Sequence, residues 1–186
     1  MDDLLDEAQQ KFLLTLARKA IRQYLESGKT LRVKIEDERL KAKRGAFVTL
    51  KVNHQLRGCI GYPLPHKPLY ETIIEVAISA ATQDFRFQPL TLEELSDTKI
   101  EISVLSLPKP VQDVKEIEIG KHGIMVSKGL NKGLLLPQVP EEWGWDLETY
   151  LGQGCLKAGL EQDEWKKEGC CIEIFSAQVF SDQIKK

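Results

Sequence analysis

The stretch from residue 45 to residue 61 constrains the fold most, because its pattern predicts a β-hairpin. Apolar and polar side chains alternate through GAFVTLKV (45–52), which is typical of a strand with one buried face. The pair NH (53–54) follows as a tight turn, and QLRGCIG (55–61) returns as the partner strand. A chain with this hairpin must bury one face of a sheet against other elements.

The second strand of this hairpin carries a lone cysteine between two glycines. Because alternate residues of a strand share a face, we expect Arg57 and Cys59 on one face and Gly58 on the other. Glycine within a strand marks a bulge or a close approach of the backbone to another group. We therefore expect Gly58 and Gly61 to let backbone N–H groups approach a ligand beside the Cys59 thiol.

The remaining patterns predict helices and further strands around this hairpin. Apolar residues spaced by three and four predict an amphipathic helix over 3–27 and a buried helix over 67–82. The other predicted elements are a short helix capped by Thr91, a strand over 99–106, short strands over 111–137 that include EIEIG (116–120), a helix capped by Asp146 and a final strand over 170–181. This order predicts an α+β fold with a mostly antiparallel or mixed β-sheet packed with helices.

Length and charge exclude several classes of protein. The 186 residues suffice for one domain with its own core. Lys and Arg number 26 against 28 Asp and Glu, for a formal net charge of -2, which argues against nucleic-acid binding. The sequence has no apolar run long enough to span a bilayer, and its first residues are acidic, unlike a secretory signal. We expect a cytoplasmic protein without a membrane partner.

The sequence holds four cysteines, at positions 59, 155, 170 and 171. In the cytoplasm they are expected as free thiols, and their spacing predicts no zinc or other metal site. We expect burial of Cys155, Cys170 and Cys171, in a helix and at the start of a strand. Cys59 differs, because a neighbouring arginine favours a thiolate. The alternative is that Cys59 is simply a small apolar residue.

Further candidate ligand-binding residues lie outside the hairpin. Arg86 follows the predicted buried helix and can present a planar fork to a phosphate or carboxylate. The alternative is a structural ion pair between Arg86 and Asp84. Gln138 and Trp143, in LLLPQVPEEWGW (134–145), can line a ligand pocket or close a small lobe.

Several motifs, in this order along the chain, resemble those of the AMMECR family: GAFVTL, LRGCIG, EISVLS, LLLPQV, EEWGW and CLKAGL. LRGCIG is the most specific of them, and Phe85 stands where family members often have proline. The resemblance implies a single AMMECR-type domain over 1–186, with a larger lobe, a small lobe within about 108–145 and a cleft between them. It also implies a Memo-type protein and a radical-SAM protein as partners.

Two functional hypotheses follow. In the first, the chain is an enzyme or enzyme component that binds a small anionic or nucleotide-like ligand around LRGCIG. Cys59 is then the nucleophile or redox thiol, with Arg57 as its electrostatic partner, while Arg86 and Lys157 hold the anion. In the second, the chain is a non-catalytic ligand- or protein-binding adaptor module. The sequence assigns no assured general base to Cys59, which favours the second hypothesis, and it does not specify a cofactor.

Overall fold

The structure, a computed structural model, describes residues 4–182. These residues form two compact units, one of 4–105 with 178–182 and the other of 106–177. Each unit holds a β-sheet and helices, and the strand pairs are antiparallel, so the expected α+β fold is confirmed. The range 108–145 lies within the second unit, which continues to residue 177. The cleft between lobes stays a prediction.

The helices and strands follow one another in chain order as α1 (Glu7–Ser27), α2 (Glu38–Lys41), β1 (Ala46–Val52), β2 (Gln55–Tyr62), α3 (Leu69–Thr82), α4 (Leu92–Asp97), β3 (Lys99–Leu105), β4 (Lys109–Pro110), β5 (Gly123–Lys128), β6 (Asn131–Leu135), α5 (Val139–Trp143), α6 (Leu147–Lys157), β7 (Cys171–Phe175) and β8 (Ala177–Ser181).

The first unit packs α1 and α3 against one face of a sheet with strand order β2-β1-β3-β8. The apolar side chains that alternate along β1 and β3, among them Val48, Leu50, Ile100 and Ile102, are buried in its core. This is the burial that the period of two in the sequence predicts. The opposite face of the sheet carries the polar side chains, and β2 lies at one edge.

Local sequence signals explain how these elements begin and end. Asp6 caps α1 by accepting the backbone N–H of Gln9, and Gly28 ends it in the left-handed conformation at φ 68°. Because Asp6 is the N-cap, α1 begins at Glu7 and not at the expected residue 3. Asn53 and His54 both have positive φ, 50° and 64°, which is the geometry of a two-residue hairpin turn. The predicted β1–β2 hairpin is confirmed.

The second unit covers a sheet of order β4-β7-β5-β6 with α6. Two side chains of α6, Tyr150 and Leu151, are fully buried against Ile124 and Val126 of β5. Gly154 allows this close approach, because a Cβ there would lie 2.9 Å from side-chain carbons of both β5 residues. The helix supplies the core of this unit.

Two predicted strands differ from the structure. EIEIG (116–120) is not a strand, because Asp113 and Glu116 form a capping box around a 3-10 turn and the chain then continues as a loop. The final strand over 170–181 is divided at Ser176 into β7 and β8, which belong to different sheets. The backbone N–H of Ser106 bonds to the Ser176 carbonyl at 2.9 Å and fixes this break.

Candidate functional site

The thiol of Cys59 lies on the open face of the edge strand β2. The structure pairs Cys59 with Thr49 of β1, and its Sγ is 3.2 Å from the Thr49 hydroxyl oxygen. The residue is half-buried. Its neighbour Gly58 points to the opposite, helix-covered face, against Ala80 of α3. The cysteine side chain thus lies on the opposite side of the strand from α3.

The backbone of Cys59 is held by a buried carboxylate. Its N–H donates to Oδ2 of Asp84 at 2.9 Å, and the Asp84 side chain is only 2% exposed. The Arg86 guanidinium donates to both carboxylate oxygens, from Nε at 2.9 Å and from Nη2 at 2.7 Å. Nη2 of Arg86 also lies 3.4 Å from the Cys59 carbonyl oxygen. Both peptide groups of Cys59 are therefore anchored.

This arrangement explains the electrostatics of the group. The hydrogen bonds from Arg86 and then that from the Cys59 N–H hold the pKa of Asp84 well below its ordinary value, against the opposing effect of burial. The same ion pair raises the pKa of Arg86. The structural alternative of the sequence analysis, an ion pair between Arg86 and Asp84, is present.

The register of the hairpin changes beside the cysteine. Gly58 pairs with Leu50, whereas Leu56 pairs with the adjacent Lys51. Arg57 is therefore an extra residue in β2, which makes the position a β-bulge. A bulge re-aims the side chain that it carries, so strict alternation does not describe the direction of Arg57.

The side chain of Arg57 binds the segment that follows α3. Its Nε and Nη2 each lie 3.0 Å from a carboxylate oxygen of Glu94, and its Nη1 donates to the carbonyl of Gln88 at 2.8 Å. The hydrogen bonds from Arg57 lower the pKa of Glu94. From the sequence we expected Arg57 to be the electrostatic partner of Cys59. The bulge directs it to Glu94 instead.

The two glycines that flank Cys59 are occupied by the protein itself. A Cβ on Gly58 would lie 2.1 Å from the carbonyl oxygen of Ala80 in α3. A Cβ on Gly61 would lie 2.2 Å from the ring of Phe47. A helix packs closely on one of these glycines and an aromatic ring on the other, and the approach of a ligand to their backbone N–H groups stays a prediction.

A row of polar side chains crosses the open face at the level of the cysteine. Thr49 is paired with Cys59 on one side and with Glu101 of β3 on the other. Glu101 accepts hydrogen bonds from the Lys51 ammonium group at 3.0 and 3.1 Å. Directly opposed residues have Cβ atoms about 5 Å apart. Thr49 and Glu101 were not predicted as site residues, because only the strand register places them in one row with Cys59. Glu94 was not predicted because only the bulge brings Arg57 to it.

The remaining candidate residues lie in the second unit. Gln138 precedes α5 and Trp143 ends it. The Trp143 side chain is 70% exposed and stacks on Trp145 with ring centroids 6.1 Å apart. Lys157 is the last residue of α6 and is exposed. A single site that joins these residues with Cys59 stays a prediction.

The other cysteines are only partly as expected. Cys155 is buried and Cys170 is half-buried, and burial raises the pKa of both thiols. Cys171 is exposed, so its predicted burial is wrong: Cys171 is the first residue of β7 and its side chain faces solvent.

Among residues 4–182, no His, Cys, Asp and Glu side chains are grouped as three or more potential metal ligands. No helix in that range is long and apolar enough to cross a membrane.

The fold and the site define a class, an α+β protein of two compact units with an anchored cysteine on an edge strand. A family model described as AMMECR1 matches residues 14–180, and the chain belongs to this family.

Several similar proteins come from archaea and have names that describe no activity. Protein MK0488 of Methanopyrus kandleri is 53% identical over 182 residues, which cover 93% of this chain and 88% of the relative. Protein MJ0810 of Methanocaldococcus jannaschii is 45% identical over 179 residues, with 92% and 89% covered. The crystal structure of the uncharacterized protein PH0010 from Pyrococcus horikoshii matches with a TM-score of 0.79 at 42% identity, and the match covers 97% of this chain and 94% of that one.

Proposed function

We propose that the first unit binds a small anionic ligand at the open face beside Cys59, and that the Cys59 thiol is the reacting group of an enzyme or enzyme component. The observation that carries this proposal is the anchoring of Cys59 by Asp84 at 2.9 Å. A buried carboxylate is costly unless it is fully hydrogen-bonded, and here its bonds hold the cysteine backbone. A reactive group requires this kind of support from residues around it.

The Thr49 hydroxyl gives the thiol a polar neighbour. At 3.2 Å from Sγ, its O–H can donate a hydrogen bond to a thiolate, and hydrogen bonds to charged acceptors are stronger than those to neutral ones. The thiolate is the nucleophilic form of cysteine. Thr49 can therefore hold the sulfur by a hydrogen bond without itself taking a proton.

Arg86 supplies the group that would bind an anion. Its Nε and Nη2 are directed to Asp84, which leaves the N–H groups of Nη1 for a phosphate or carboxylate oxygen. The side chain is 45% exposed, and its guanidinium lies 5.5 Å from the ring centroid of Phe87. Because Asp84 neutralises the charge, Arg86 contributes directed hydrogen bonds more than net attraction.

A second candidate function is the non-catalytic adaptor module. It is favoured by the hydrogen bonding of the sulfur: within residues 4–182, Cys59 Sγ shares a hydrogen bond with the Thr49 hydroxyl and with no imidazole or carboxylate. A catalytic cysteine usually has a base or a strongly cationic environment. In this function the same face would recognise another protein, and the Memo-type and radical-SAM proteins implied by the family resemblance are the proposed partners.

Thermal-shift assays with a panel of nucleotides and phosphorylated metabolites test the proposal. We expect a compound that stabilises the parent and loses much of its effect in Arg86→Gln, with Lys29→Gln as the exposed control. Incubation with that compound, followed by product analysis, separates the two functions. Turnover that disappears in Cys59→Ser while binding remains supports the enzyme. Binding without turnover supports the adaptor, and a panel without any stabilising compound contradicts the ligand site.

A further inference from the structure

A wide groove lies in the first unit between α1 and β8. Its volume is about 940 Å³. One wall is a single face of α1 that runs from Glu7 to Arg22, and the other is formed by Phe180, Ser181 and Asp182. Consecutive residues of a strand point to opposite faces. A groove lined by three consecutive residues therefore follows the edge of β8, not one of its faces.

Within residues 4–182, the backbone groups on the outer edge of β8 pair with no other strand. The sheet order ends at β8, and no further strand of the described chain joins it. The N–H of Asp182 bonds to the Ile100 carbonyl of β3 at 3.0 Å. Because backbone groups alternate in direction along a strand, those of Val179 and Ser181 point away from β3. Such an edge can accept one more strand.

The charges of the groove are mostly positive. Its lining contains four cations and two carboxylates: Lys11, Arg18, Lys19, Arg22, Glu7 and Asp182. Arg18 and Asp182 form an ion pair at 2.6 Å. The other three cations have no ion pair within the described residues, and Glu7 lies at the opposite end of the α1 wall from Arg22. Leu14 and Phe180 add apolar surface to this lining.

We propose that this groove binds an extended acidic peptide segment of a partner protein, which adds a strand to β8 and directs its carboxylates to α1. Lys11 and Lys19 are about 12 Å apart along the helix axis, from eight residues at 1.5 Å each. Two residues four positions apart in a strand are separated by about 13 Å. The fitting motif has two acidic residues four positions apart in an extended segment, the second of them facing Lys19 and Arg22.

This surface is independent of the Cys59 site. It lies at the β8 edge of the sheet, whereas β2, which carries Cys59, is the strand at the opposite edge. The proposal therefore adds a partner-binding surface to the protein, whichever function the Cys59 site has.

The test measures binding of a fluorescein-labelled peptide VEVTVEV to the full chain by fluorescence anisotropy. We expect saturable binding that weakens with added salt and that is lost with the neutral peptide VQVTVQV. The double variant Lys19→Glu/Arg22→Glu is expected to weaken binding about tenfold or more, equivalent to about 1.4 kcal/mol. The variant Lys115→Glu/Lys132→Glu changes the net charge equally in the second unit and should bind as the parent does.

Two N-methylated peptides test the strand edge. One carries N-methyl groups on its odd residues and the other on its even residues, so that only one of them blocks the amides that face β8. We expect the peptide whose amides facing β8 remain free to bind, and the peptide whose amides facing β8 are methylated not to bind. Equal binding of both, unchanged binding by the charge-reversal variant, or no binding at about 1 mM peptide overturns the proposal. A parent that dimerises through this edge and ignores the peptide also overturns it. Circular dichroism confirms that each variant is folded.

Discussion

The backbone N–H of Cys59 donates to the Asp84 carboxylate at 2.9 Å, although the two residues are 25 positions apart. This bond joins the edge strand β2 to the loop that follows α3. Arg86 neutralises the buried carboxylate from the other side at 2.7 Å. The position of the Cys59 backbone and the stability of the first unit therefore both depend on the Asp84 side chain.

Asp84→Asn should destabilise the protein at neutral pH by about 2–3 kcal/mol, because charged hydrogen bonds to a buried group are lost. The native pKa of Asp84 lies below its ordinary value of 3.8. The stabilisation by its charge is therefore complete above about pH 4 and decreases as the pH falls below that value. Urea unfolding at a series of pH values should show that the difference in unfolding free energy between the parent and Asp84→Asn becomes smaller at acid pH.

The matched control for this prediction is Glu168→Gln. Glu168 is exposed and has no hydrogen bond or ion pair within residues 4–182. Its replacement should leave the unfolding free energy unchanged at every pH. A difference between parent and Asp84→Asn that is constant from neutral to acid pH would contradict the charge-based explanation.

The bidentate pair of Arg57 and Glu94 should give a measurable coupling energy. We expect the single variants Arg57→Gln and Glu94→Gln to be non-additive by about 1 kcal/mol in a double-mutant cycle, since the pair is only partly buried. Urea unfolding of the four proteins gives this value. The exposed pair Lys34 and Glu36, 3.7 Å apart, is the control and should couple near zero. Additive effects at Arg57 and Glu94 would show that the contact adds no stability.

Gly58→Ala should destabilise the first unit by about 2 kcal/mol or more, because its Cβ would lie 2.1 Å from the Ala80 carbonyl oxygen and the helix would have to shift. Gly152→Ala is the matched glycine control. Its Cβ would lie 2.8 Å from Cγ and 3.3 Å from the carbonyl oxygen of Gln162, which offsets part of the gain of up to about 1 kcal/mol from alanine in a helix, so we expect a smaller loss of stability than in Gly58→Ala. Thermal unfolding compares the two variants. Equal midpoints for Gly58→Ala and the parent would refute the close contact with α3.

Iodoacetamide labelling followed by peptide mass spectrometry tests the chemistry of Cys59. We expect Cys59 to react faster than Cys155 and Cys170, whose thiol pKa values are raised by burial. Thr49→Val should slow Cys59 several-fold, because it removes the hydroxyl that can donate a hydrogen bond to the attacking sulfur. The exposed Cys171 is the internal reference and should label at the same rate in both proteins.

The same assay separates the roles of Thr49 and Arg57. Arg57→Gln should leave the labelling rate of Cys59 unchanged, because Arg57 binds Glu94 rather than the thiol. A Cys59 that slows in Arg57→Gln would restore the sequence-based expectation of direct electrostatic activation. A Cys59 that stays unreactive in the folded parent would eliminate its role as nucleophile and leave the adaptor module.

Sequence alone predicted the features that depend on neighbouring residues. The alternation of 45–52, the turn at 53–54 and the capping box at Thr91 involve contacts within about four positions. The possible ion pair of Arg86 with Asp84, two positions away, also belongs to this group. Backbone geometry and hydrogen-bonding capacity act locally, so the residue order is sufficient to specify them.

Tertiary structure decided which distant groups meet. Arg57 binds Glu94, 37 positions away, because one extra residue in β2 changes its direction. The segment 170–181 divides between two sheets, although its own pattern reads as one strand. Packing of separate elements and the register between strands determine these contacts, and a shift of one residue exchanges the two faces of a strand. Local sequence patterns specify the helices and strands, whereas long-range packing determines which residues Arg57 and Cys59 contact.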